Sequence, residues 1–122
     1  MDNQKLIFVY NADSGKWNGY MDMAHKIFSP STYPCSLCDL TYGIFKIEPA
    51  WEAFIQHSPV PFEFLHKDEF MAQYPHLKNT PLPIVLKQSE NVVSELISQQ
   101  ELDSFKTIAA LQNVILEKLN NW

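Results

Sequence analysis

The chain has 122 residues, nine basic against fourteen acidic for a net charge of −5, and 46% apolar side chains, with eight phenylalanines, five tyrosines and three tryptophans. That length builds one domain around one core, and this aromatic content with only three glycines and 19% charged residues excludes disorder and low-complexity repeats. All nine basic residues are lysine, so the chain lacks both the basic face and the forked guanidinium of a nucleic-acid binder, and its acidic balance disfavours an anionic membrane surface.

The first apolar run, Leu6 to Tyr10, is shorter than the core of a signal peptide, and no segment reaches the roughly twenty apolar residues that span a bilayer. A cytoplasmic protein is the expectation. Lys5 to Asn11 is a β-branched and aromatic run ended by Ala12-Asp13-Ser14-Gly15, which predicts a buried central strand. Trp17, Tyr20, Met21, Ala24 and Phe28 recur at helical spacing behind a cap at Asp13 or Ser14. Ser29 to Pro34 is a loop by composition and leads into Cys35-Ser36-Leu37-Cys38. Glu48-Pro49 opens a second helix whose Trp51, Phe54 and Ile55 share a face, with Pro59 and Pro61 fencing its end.

Val60 to Leu65 alternates as a strand does, and Lys67 to Tyr74 has short-helix periodicity. Ile84-Val85-Leu86 and Val92 to Ile97, joined by the turn Gln88 to Asn91, predict an antiparallel hairpin. Phe105, Ile108, Ala109, Leu111, Ile115, Leu116 and Leu119 form the stripe of a last helix capped at Asp103, with a capping-box pattern upstream at Ser98 to Glu101. This order predicts an α/β domain over residues 1–122, a mixed sheet covered by helices on both faces.

Cys35 and Cys38 carry the strongest chemical signal. Their spacing brings two sulfurs within bonding reach, which suits a reversible disulfide, and it also presents two zinc ligands. Pro34 favours a helix beginning at Cys35, where a thiolate is stabilised, while Asp39 opposes that effect. A zinc site needs two more ligands, with His25 and His57 as the weak alternative set, and two small apolar thiols in a core are the third reading. No other cofactor is implied. Asn11, Asp13, Ser14 and Gly15 lie between a strand and a helix, the ligand-binding edge of an open α/β sheet, and the same residues also serve as a capped turn. His66-Lys67-Asp68-Glu69 ends the second strand and reaches that edge or starts a solvated helix.

Thr80-Pro81 followed by LPIVLKQSENVV and a last helix, together with the opening unit LIFVYNADSGKW, resembles the thioredoxin fold. The resemblance implies a thioredoxin-like sheet, an insertion of about residues 29–58 that carries the C-x-x-C, and a cis-proline before the third strand. Pro81 fits that position and joins the expected binding set, with Pro83 as the competing choice. The departure is that thioredoxins carry C-x-x-C between the first strand and its helix, whereas here that loop is Asn11 to Gly15 and the cysteines follow the helix. A simple thioredoxin layout then puts them at the opposite end of the sheet. LIFVYNADSG and YPCSLCDLTYG also resemble a family of small uncharacterised bacterial proteins, some described as GTP-binding. Gly15-Lys16 lacks the preceding glycine and following hydroxyl of a phosphate-binding loop, so nucleotide binding does not carry over.

The leading expectation is a cytoplasmic thiol-disulfide or redox-sensing protein acting through Cys35 and Cys38 on a protein thiol or disulfide partner, without nucleic acid or membrane. The alternative is a non-catalytic binding module using Asn11 to Gly15, its cysteines structural or zinc-bound.

Overall fold

Every residue from Leu6 to Tyr10 is buried, which requires apolar layers on both faces of the strand they form. A computed structural model of the chain describes residues 4–11 and 49–121. Strand β1, Lys5–Val9, is followed in the described chain by helix α1, Pro49–Gln56, strand β2, Phe62–Leu65, and helix α2, Lys67–Gln73. A 3-10 turn at Pro75–Leu77 leads to β3, Ile84–Ser89, and β4, Val92–Ile97. Helices α3, Gln99–Ser104, and α4, Ile108–Asn120, complete it. The sheet order is β2-β1-β3-β4, with β1 parallel to β2, antiparallel to β3, and β3 antiparallel to β4. This is an α/β domain with a mixed four-stranded sheet flanked by helices.

The period-2 alternation of β1 divides the core. Leu6, Phe8 and Tyr10 face one layer, where Trp51 of α1, Leu102 of α3, and Leu111 and Ile115 of α4 are buried with Val85 and Ile97. Ile7 and Val9 face the other with Leu65, Phe70 of α2, Leu82, Ile84 and Leu86. The first layer is rich in rings: Phe8 meets Trp51 edge-on at 5.4 Å between centroids and lies 4.9 Å from Phe62 and 5.1 Å from Phe64. Across it, the side-chain amide of Gln112 on α4 donates to the Ala50 carbonyl of α1 at 3.1 Å.

Helix α1 opens at Pro49, whose missing N–H is no loss in the first turn. It lies inside the segment expected as an insertion, yet Trp51 is fully buried in the core, so the boundary expected near residue 58 falls after a helix that belongs to the sheet's packing. Strand β2 begins at Phe62, two residues later than the alternation suggests. Neither Pro59 nor Pro61 can donate to a ladder, and the Ser58 hydroxyl holds the approach as a turn by donating to the Val60 carbonyl at 2.7 Å and accepting from the Val60 N–H at 3.2 Å.

The expected last helix starts later than its stripe, at Ile108, and a separate short helix precedes it. Ser98 accepts the Glu101 N–H at 3.1 Å to cap α3, as its pattern implied, but the Ser104 hydroxyl donates to the Glu101 carbonyl and Phe105 turns extended. Thr107, accepting the Ala110 N–H at 3.2 Å, caps α4, so Asp103 lies within α3 and is not the cap. A bulge in β4 lets the two residues Leu96 and Ile97 both face the ring-rich layer: Val85 pairs with Ile97 and Leu86 with Glu95.

The β3–β4 hairpin turns on Glu90 and Asn91, between the paired residues Ser89 and Val92. Glu90 has φ of 58°, a left-handed conformation in which its Cβ crowds the backbone, and the Gln88 side chain donates to its carbonyl at 3.0 Å. Glu90→Gly is expected to raise folding stability by up to about 1 kcal/mol, steric relief outweighing the glycine's extra unfolded-state freedom. Urea unfolding midpoints of the two proteins check this, and a lower midpoint for the variant would contradict it.

Candidate functional site at the ends of β1 and β2

The hydrogen-bond register collects three chain segments at one edge of the sheet. Val9 pairs with Leu65 on one side and with Ile84 on the other, so β1 and β2 end where β3 begins. Tyr10 extends the ladder by donating its N–H to the Leu65 carbonyl at 2.9 Å. Asn11, half-buried, His66 and the Pro81-Leu82-Pro83 run therefore meet at this edge, the side of an open α/β sheet where ligands bind.

The Leu82–Pro83 bond is cis. The cis-proline expected at Pro81 is thus the competing Pro83, which is buried with Leu82, while Pro81 is exposed beside it. Two prolines flanking one leucine give the sequence no means to choose between them.

His66 caps α2 and its ring lies 5.9 Å from that of Tyr10. Glu69, three residues on, turns back to it: one carboxylate oxygen accepts the His66 backbone N–H at 2.7 Å and Nδ1–H at 2.8 Å. An ionised carboxylate only accepts, so the contact fixes Nδ1 as a donor and the imidazole in one orientation. The backbone and side-chain bonds from His66 hold the Glu69 carboxyl below its ordinary range, against the raising effect of partial burial and of neighbouring Asp68. The sequence marked this run as reaching the edge or starting a helix, and it does both.

A carboxyl with a lowered folded pKa stabilises the fold above its unfolded pKa, and the contribution fades as the pH falls through the folded value. Glu69→Gln should therefore cost at most about 1 kcal/mol at neutral pH, since the carboxylate is solvent-screened, and little in strong acid. Unfolding midpoints along a descending pH series check this; a penalty independent of pH would mean that shape, not charge, is what Glu69 contributes.

Of the other residues singled out from sequence, His57 is exposed and ends α1, where the chain leads to Pro61 and the start of β2. That is the edge away from Asn11, and the two are not brought together. Cys35, Cys38, Asp13, Ser14, Gly15 and His25 lie outside the described residues. Among the described residues no three histidine, cysteine, aspartate or glutamate side chains group as metal ligands, and no helix is long and apolar enough to cross a membrane.

Helix α1 packs on the rings of β1 and β2: Phe54 lies 6.0 Å from Phe62 between centroids, and Trp51 lies against Phe8, Phe62 and Phe64. Asn11 lies on the side of the sheet where His66 and Pro83 lie. The described helix between β1 and β2 also follows the cysteines in sequence.

No protein-family model matches the chain, and neither a curated protein nor a solved structure matches it.

Proposed function

We propose that the protein is a small thiol-disulfide protein of thioredoxin-like architecture, working through Cys35 and Cys38 on a protein partner. The architecture is supported by the sheet: a central first strand, a parallel neighbour reached by a helical crossover, and a closing antiparallel hairpin followed by helices. What supports the functional reading is the C-x-x-C itself, carried in the sequence that follows Asn11, where β1 finishes beside the end of β2. On an open sheet that edge is where chemistry collects.

In the proposed reaction the Cys35 thiolate attacks one sulfur of a partner disulfide, forming a mixed disulfide and releasing the partner's other sulfur as a thiolate. The Cys38 thiolate then attacks Cys35 Sγ. This releases the second partner thiolate and leaves Cys35 and Cys38 joined, two electrons having passed to the partner. Pro34 favours a helix start at Cys35 and supports its role as the attacking thiol.

The test is equilibration of the metal-free protein in buffers of reduced and oxidised glutathione, with the thiols read by alkylation and mass. A reversible two-electron midpoint is expected within roughly −270 to −120 mV, the span of working oxidoreductases. Thiols that stay reduced throughout, or react only after unfolding, would overturn the proposal and leave the Asn11 to Gly15 edge as a binding site with structural cysteines.

A further inference from the structure

We draw no further inference here: the strongest candidate, the open hollow of about 220 Å³ beside the start of β3, lined by Pro81, Ile84, Glu95 and Gln99, borders the sheet edge already described, and nothing in the structure shows what covers it.

Discussion

Replacing Trp51 with alanine is expected to cost about 3–5 kcal/mol of folding stability, the range for emptying a large aromatic from a packed core. The indole is fully buried and lies against Phe8, Phe54, Phe62 and Phe64, so its removal opens a void that rings anchored on two strands and a helix fill only in part. Among the described residues its Nε1 has no hydrogen-bond partner. Trp51→Phe, which keeps much of the volume and loses no hydrogen bond to a described residue, is expected to cost well under half as much. Leu116→Ala, at a site 45% exposed on α4, should stay within about 0.5 kcal/mol. Urea unfolding of the three variants decides the matter. A Trp51→Ala penalty no larger than that of Leu116→Ala would mean that α1 is not part of the core.

The second large effect is on chemistry. Cys35→Ser should abolish reduction of a disulfide substrate, a loss of at least about a hundredfold, because a hydroxyl of ordinary pKa is not a nucleophile at neutral pH. Cys38→Ser should instead halt after the first exchange and accumulate a covalent complex that reductant dissolves, seen as a mass increase on a non-reducing gel. Neither variant is expected to lose the fold if the thiols work at the sheet edge, and far-ultraviolet circular dichroism provides that control. Full exchange activity in Cys35→Ser would sink the assignment of roles. Loss of fold in both variants would point to structural thiols instead.

The strands were readable because their apolar runs are short and bounded. LIFVY has no polar interruption and is the central strand, while PIVLK and VVSELI flank a polar turn and form the hairpin. The helix at Pro49 was readable from its proline and the spacing of Trp51, Phe54 and Ile55, but its rank in the fold was not. Periodicity says that a face is apolar and not what it packs against, so a core helix looked the same as one in an insertion. At the end of the chain the apolar stripe runs across Phe105 to Leu119 with no visible gap. The break is encoded in hydroxyls, Ser104 closing one helix and Thr107 opening the next, and these two polar contacts leave Phe105 outside the last helix. At the candidate site, the sequence places His66 and Asn11 just after strands, and both do follow the paired ends of β2 and β1. The choice between Pro81 and Pro83 was beyond local pattern, since which of two neighbouring prolines is buried depends on contacts made across the sheet.

The two-sided burial of β1 bears on how the strand keeps its register. In a sheet with one wet face, a one-residue slip is penalised because it trades apolar for polar side chains. Here a slip would trade apolar for apolar, so hydropathy cannot guard the alignment. Size does so instead: Phe8 and Tyr10 enter a layer built of rings, while Ile7 and Val9 enter one whose sheet side is aliphatic, from Leu65, Ile84 and Leu86. The strand is addressed by the volumes of its side chains, a code that a scale of hydrophobicity does not record.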